Sequence, residues 1–460
     1  METLPASERA AVESFVAEWL SDERIPGAAV AVVDPDGTLY AEGFGARNLE
    51  RNEPATPDTL FGVGSSTKSL TAVAIMQLAE DDALSVDDPV SEYVPHLDDA
   101  PGDPVTVREL LTHTSGMPAD GSAVPLATRS LGLGHIEVPL SSKDDFRRHV
   151  EGSVDRRVTD RETFFYYNSG YTMLGEVVEA VTGDSYAEYV TEHVLDPLGM
   201  ARSTFDREDF EDDDDAMTPY VKQDESSTEA GFPFDPIMQA PGGLVSSVRE
   251  MGDYTRMLMN GGSLDGETLL SLPSVDAMRT GVVESGVYVD DRTVEYGYGL
   301  TTEAFLGDTL VNHGGAVVVS NFWFGYLEDA EVGVTVACTT TPETLPGDVG
   351  AGVLAILQGA DPVDAVPHFE LTAALDAVTG SYETYRDIGS ATVERDGGTL
   401  TFTQETGLGG QELSLTPETL EDDLLVCSTV LGSGRRETVR FERDGGDVTC
   451  FFARSRFVKE

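Results

Sequence analysis

The stretch "FGVGSSTKSLTAVAIMQLAEDD" (61–82) decides how the rest of the chain is read. Lysine is nearly absent from this protein. There are four, Lys68, Lys143, Lys222 and Lys459, and only Lys68 stands three residues after a serine. A glycine-marked turn gives way here to a long apolar run with helical spacing. On a helix, positions i and i+3 share a face, so Ser65 and Lys68 bring a hydroxyl and an amine into hydrogen-bond range. Ser65 near the helix N-terminus also sits by backbone N–H groups and the positive dipole end, which favour a developing oxyanion. Serine needs a neighbouring base to become a nucleophile. Lysine supplies one only when neutral, and moving its pKa from about 10.4 to near 7 takes roughly 4–5 kcal/mol. Burial between apolar walls acts in that direction. Four lysines produce one such pair by chance about one time in four, so the pair needs company.

Outward from this stretch, the chain alternates between two textures. The start reads as an amphipathic helix, and "GAAVAVVDPDGTLYAEGFG" (27–45) as a strand, a turn at Asp36-Gly37 and a second strand. "TVRELLTHTSG" (106–116) has a Thr N-cap and a Gly stop, and further helices are expected near 170–183, 184–195, 247–260 and 345–358. From 294 the pattern returns to strands rich in Val, Thr and aromatic residues. Strands at both ends with helices between them predict an α/β fold: an antiparallel sheet flanked by helices, plus a mostly helical subdomain. Residues 1–360 form this domain, and 361–377 read as a linker with a short helical piece. Residues 378–460 read as a small all-β barrel, because short strands are punctuated by turns such as "RDGG" and "RDGGD".

Composition narrows the function. The 460 residues carry 83 acidic and 29 basic side chains, a formal charge of −54, yet 40% are hydrophobic, which argues for a folded chain. Such acidity suits concentrated salt, where at about 1 M the Debye length is roughly 3 Å. The expected setting is a salt-accumulating cytoplasm. No basic stripe exists to neutralise phosphates, so nucleic acid is not an expected partner. No segment offers the roughly 20 apolar residues of a membrane span, and the start lacks a basic, apolar leader. "REDFEDDDD" (207–215) lacks the spaced ligands of a calcium loop and reads as a solvated acidic loop. Cys338, Cys427 and Cys450 are too widely spaced for a zinc cluster and read as free thiols. No HExxH, GxSxG or phosphate-binding loop is present, and no cofactor or metal is expected.

Two further pieces join the Ser-Lys pair. "FFYYNSGYTMLGEVVEAVTG" (164–183) sets Tyr166 and Asn168 two apart where a loop enters a helix, and "LVNHGGAVVV" (310–319) places His313-Gly314-Gly315 at the lip of a strand. In this order the three elements resemble the signatures of the serine β-lactamase and penicillin-binding-protein superfamily. They look most like its class C branch and the related D-aminopeptidases, alkaline D-peptidases and esterases. The running pattern of residues 10–355 resembles that family too, and the trailing β domain looks like its lipocalin-like extension.

The resemblance implies roles. Ser65 is the acylated nucleophile, Lys68 its partner in proton transfer, and Tyr166 the general base as a phenolate held by Lys68, with Tyr167 as the off-register alternative. Which group takes the first proton stays open. Asn168 holds the substrate amide, and the N–H groups of Ser65 and Ala316 form the oxyanion hole. His113 in "LLTHTSG" belongs to the pattern as a structural residue. His313 replaces the lysine that usually opens the third motif, which weakens any grip on a carboxylate near pH 7. The expected activity is therefore hydrolysis of small esters or short, D-configured peptides through an acyl-enzyme. A true β-lactamase or D,D-carboxypeptidase is the alternative, and a catalytically idle binding protein the alternative from another class.

Overall fold

The computed structural model describes residues 3–118, 121–132, 138–159, 163–223, 226–406, 409–421 and 423–460. They fall into two compact units, one of residues 1–286 and 294–359, the other of 287–293 and 360–460.

The first unit opens with helix α1 (Ala6–Glu23), then strands β1 (Gly27–Asp34), β2 (Gly37–Asn48) and β3 (Glu53–Pro54). Helices α2 (Thr67–Glu80), α3 (Val107–Leu111), α4 (Asn168–Thr182) and α5 (Val248–Met259) occupy its middle. Strands β4 (Val283–Val287), β5 (Thr293–Tyr296), β6 (Thr301–Phe305), β7 (Asp308–Ala316), β8 (Ser320–Leu327) and β9 (Val332–Thr339) follow, and helix α6 (Pro346–Leu357) closes it. Among the described residues these strands make one sheet in the order β4-β5-β6-β7-β8-β9-β1-β2-β3. The two ends of the region meet where β1 pairs antiparallel with β9, Val30 opposite Val336.

Strands β8 and β9 are buried throughout because both faces are covered. The period-2 alternation of a strand divides their side chains. Phe324 meets Tyr254 of α5 with ring centroids 5.6 Å apart. Its neighbour Trp323 points the other way, onto α6, where a Cβ at Gly350 would come within 2.3 Å of the indole. Helix α2 is apolar and buried nearly all round, as befits a central helix. It packs against α4, and the turn before it, Gly64–Ser66, packs on β7.

Some boundaries differ from the sequence reading. Helix α3 has the Thr106 cap, strengthened by a reciprocal Glu109 contact, but ends at Leu111 because His113 adopts a left-handed φ of 59°. Strand β4, "VESGV", precedes the expected start at 294; it is half-exposed and has no apolar run to announce it. The acidic run is not simply a solvated loop. Asp206 caps a helix over Arg207–Asp212, Asp213 pairs with Arg202 at 2.6 Å, and Asp215 accepts from Thr59 at 2.7 Å.

In the second unit, helices α7 (Pro362–Ala365) and α8 (Pro367–Val378) occupy the stretch read as a linker. Strands β10 (Gly380–Glu383), β11 (Gly389–Asp396), β12 (Thr399–Thr406), β13 (Gly409–Glu421), β14 (Leu424–Val430), β15 (Arg436–Asp444), β16 (Asp447–Phe452) and β17 (Ser455–Lys459) form a closed barrel. Leu375 and Val378 of α8 join Phe402, Phe441 and Phe457 in its core. Gly445 and Gly446 both take positive φ in the β15–β16 turn, the backbone that a two-residue hairpin loop requires. All three cysteines are buried free thiols. Among the described residues, no helix is long and apolar enough to cross a membrane and no His/Cys/Asp/Glu group is arranged to hold a metal.

Candidate functional site

Within residues 61–76, Ser65 alone is not buried. The turn that carries it begins at Gly64, whose φ of 55° suits glycine, and Thr67 ties the turn by donating to the Gly64 carbonyl at 2.7 Å. One helical turn on, Lys68 has no exposed surface. Its Nζ lies 3.0 Å from Ser65 Oγ, 2.7 Å from Asn168 Oδ1 and 2.7 Å from the Pro241 carbonyl. Desolvation pushes the amine well below its usual range. The faces of Tyr166 and Tyr171, with centroids 4.7 and 5.4 Å from Nζ, act the other way and favour the cation. A neutral amine has two N–H groups and one lone pair. Asn168 Oδ1 and the Pro241 carbonyl are pure acceptors and take two N–H groups, and Nζ is placed to donate to Ser65 Oγ or, when neutral, to accept from it.

Tyr166 approaches the same serine. Its hydroxyl interacts with Ser65, while burial raises the phenol above its ordinary value. Both groups are thus driven toward their neutral forms. Burial works against both members of the Tyr166 phenolate and Lys68 cation pair that the resemblance implied. Tyr167, the off-register alternative, is buried, and its backbone N–H donates to His113 Nδ1 at 3.0 Å. His113 also lies against the Tyr166 ring, centroids 4.3 Å apart, and burial keeps it neutral. It thereby fixes the backbone and the ring plane of the tyrosine beside the nucleophile.

His313 is buried at 4% exposure on β7. Its Nδ1 is 2.6 Å from the Gly314 carbonyl and therefore carries the proton, which leaves Nε2, 3.0 Å away, to accept from the Tyr296 hydroxyl. Desolvation and the nearby Lys68 push its pKa down to about 3. Tyr296 and Pro241 escaped the sequence reading. A backbone carbonyl leaves no mark in a sequence, and Tyr296 in "EYGYG" has no spacing relation to His313.

Beyond His313 the strand rises to the surface: Gly314 and Ala316 are exposed. Gly315 packs so closely on the nucleophile turn that a Cβ there would fall 2.0 Å from Val63 O and 2.7 Å from Ser65 N. A Cβ on Gly64 would in turn fall 2.5 Å from Ala316 N. The two glycines let strand and turn meet, bringing the N–H groups of Ser65 and Ala316 beside one another. Ser66 locks this contact by donating to the His313 carbonyl at 3.0 Å. The arrangement combines an accessible hydroxyl, a buried amine 3.0 Å from it, a phenol beside both, and two neighbouring backbone amides.

Comparison with known proteins gives the following. The Beta-lactamase family profile matches residues 9–358, and that of the Pab87 octamerisation domain matches residues 362–458. Among solved structures, the octameric penicillin-binding protein homologue from Pyrococcus abyssi is 33% identical, with a TM-score of 0.88, covering 98% of this chain and 100% of its own. The D-amino acid amidase from Ochrobactrum anthropi SV3 shares the fold, with a TM-score of 0.62 at 19% identity over 76% of this chain and 99% of its own. Protein flp of Staphylococcus aureus is 29% identical over 224 residues, which span 46% of this chain and 43% of that protein.

Proposed function

The chain belongs to the beta-lactamase family, and from that premise we propose that it is a serine hydrolase acting through an acyl-enzyme on small esters or short peptides and amides, D-configured ones included. One observation carries the reading: a fully buried lysine holds its amine 3.0 Å from the only accessible residue of the helix start, Ser65.

In this reading Ser65 Oγ attacks the substrate carbonyl as its proton passes to Lys68 Nζ. The tetrahedral oxyanion is received by the N–H groups of Ser65 and Ala316, in a site where preorganised donors act most strongly. Tyr166 relays the proton from Lys68 to the departing oxygen or nitrogen, and the acyl group stays on Ser65. Water then enters, gives a proton back through Tyr166 and Lys68, and releases the acid with Ser65 restored. Asn168 orients Lys68 through Oδ1 and presents its other amide atom to the substrate. A neutral His313 is a poor anchor for a carboxylate, which supports neutral esters and amides over penicillins. The second unit serves association between copies, a reading supported by its match to the Pab87 octamerisation domain and by the octameric Pyrococcus abyssi relative.

The test is a pre-steady-state burst with p-nitrophenyl butyrate in multimolar KCl. The wild type is expected to release about one equivalent of nitrophenol per protein in the burst, and Ser65→Ala none. Equal slow release from both proteins, with no labelling of Ser65 by a serine-directed phosphonate, would remove the hydrolase reading.

A further inference from the structure

A cavity opens beside the candidate oxyanion site, within the first unit. Its walls include Leu126, Phe205, Phe232, Phe234, Met238 and Val317, and it begins at Gly242 and Ala316. Both starting points touch the reaction centre: Ala316 supplies one amide of the candidate oxyanion hole, and a Cβ on Gly242 would lie 3.7 Å from Ser65 N. A group in this cavity is therefore close to a carbonyl whose oxygen sits between the two amides. The open space is about 100 Å³, smaller than the ~150 Å³ of an apolar cavity that takes benzene, so an isobutyl group fits and a phenyl group marks the upper limit. The aromatic wall is firmly packed, with Phe232 4.6 Å from Phe234 and 5.2 Å from Phe210 between ring centroids.

The charge of the lining is equally informative. Among the described residues, Asp235 is the one ionisable member of the lining, which carries no cation. The Asp235 carboxylate accepts from the Ile237 N–H at 2.9 Å and is half-buried, which raises its pKa although Arg129 opposes the shift. Arg207 stacks on Phe234, 5.3 Å from its centroid, without lining the space. An anionic substituent entering here meets apolar walls and a like charge, with no compensating partner.

Resting on the serine-hydrolase reading, we propose that the acyl part of the substrate carries one uncharged apolar group of isobutyl to phenyl size, seated in this cavity, and that acyl groups ending in a carboxylate are rejected. The proposal concerns the group attached to the scissile carbonyl, and the leaving group is held constant in its test.

Acylation of Ser65 is followed by stopped flow with p-nitrophenyl acetate, butyrate, phenylacetate and hemisuccinate in multimolar KCl. Burying one phenyl group predicts phenylacetyl transfer roughly 10–100-fold faster than acetyl transfer at subsaturating ester. Hemisuccinate, similar in length to butyrate but anionic, is expected at least about tenfold slower than butyrate. Ala127→Trp, which fills the cavity, is expected to collapse the phenylacetyl-to-acetyl ratio about tenfold. Phe234→Ala, which enlarges it, is expected to move the optimum to a naphthylacetyl ester. Rates flat within about threefold across the series, with a Ser65-dependent burst intact, overturn the cavity's role and leave the hydrolase reading standing. Ratios unmoved in both variants do the same. Absence of any burst or phosphonate label overturns the reading on which the proposal rests.

Discussion

Lys68 occupies a position with no exposed surface, and desolvation there lowers its pKa well below the ordinary lysine range. The sign follows from proton binding. The folded-state pKa lies below the unfolded value near 10.5, so between the two the unfolded chain carries a proton that the folded chain lacks. Unfolding free energy then rises with pH over that interval, by up to about 1.4 kcal/mol per pH unit for this one group. Lys68→Met removes the titration. The difference in unfolding free energy between wild type and Lys68→Met is therefore expected to move in favour of the wild type as pH increases from 7 toward 10. Denaturant titrations at several pH values measure that difference, whatever constant offset arises from the acceptors on Asn168 and Pro241 that methionine leaves unpaired. A pH-independent difference would mean that Lys68 is protonated in the folded protein and is not the resting base. Acylation should fall in the same variant by about 10²–10⁴-fold, as for loss of a proton-transfer group.

At the scale of elements, the site is a docking of one strand end against one helix start. Strand β7 and the Gly64–Ser66 turn meet through two glycines and the Ser66-to-His313 hydrogen bond. Gly315→Ala places a methyl where Val63 O and Ser65 N already lie, so turn and strand must separate locally. The sheet beneath is paired by Leu310, Val311 and Asn312 to β8 and remains in place. The expected result is a fall of about 10²-fold or more in acylation, the size seen on losing an oxyanion donor. Circular dichroism and the unfolding midpoint should change little by comparison. Wild-type acylation in this variant would mean the oxyanion is held elsewhere. How legible all this is from sequence depends on the kind of contact. The Ser65–Lys68 pair is local, and helical spacing alone puts it on one face. Tyr166, Asn168 and His313 lie about 100 and 250 residues away, and no periodicity joins them to Ser65; they were found through family resemblance. The central strands, drawn from both ends of the region, could be seen in the sequence because β1, β8 and β9 are buried and apolar. Half-exposed β4 lacked such a signal, and of the stretch read as a linker with a short helical piece only that piece was legible. Least visible are contacts made by backbone, such as the Pro241 carbonyl on Lys68, and ring stacking such as His113 on Tyr166.

Over the whole molecule the dominant force not yet opposed is charge. The 83 acidic side chains are balanced by only 29 basic ones, which leaves a formal excess of 54. Ion pairs such as Arg249–Asp58 at 2.8 Å are exposed at the surface, and pairs of that kind contribute about 0–1 kcal/mol each. Salt weakens them, but it also screens the far more numerous repulsions, since the Debye length shrinks from about 10 Å at 0.1 M to about 3 Å at 1 M. Repulsion is long-ranged and involves every surplus carboxylate, so its screening outweighs the lost pairs. The urea midpoint is expected to rise steeply between about 0.1 M and 1 M KCl and then flatten, as screening does, with the steepest gain where the Debye length changes most. Assembly obeys the same balance: copies of a chain charged at −54 repel before any apolar contact forms, so the light-scattering mass should increase over the same range of KCl. A protein most stable in dilute buffer, or an oligomer that dissociates as salt is raised, would show that specific surface ion pairs, and not screened repulsion, govern this molecule.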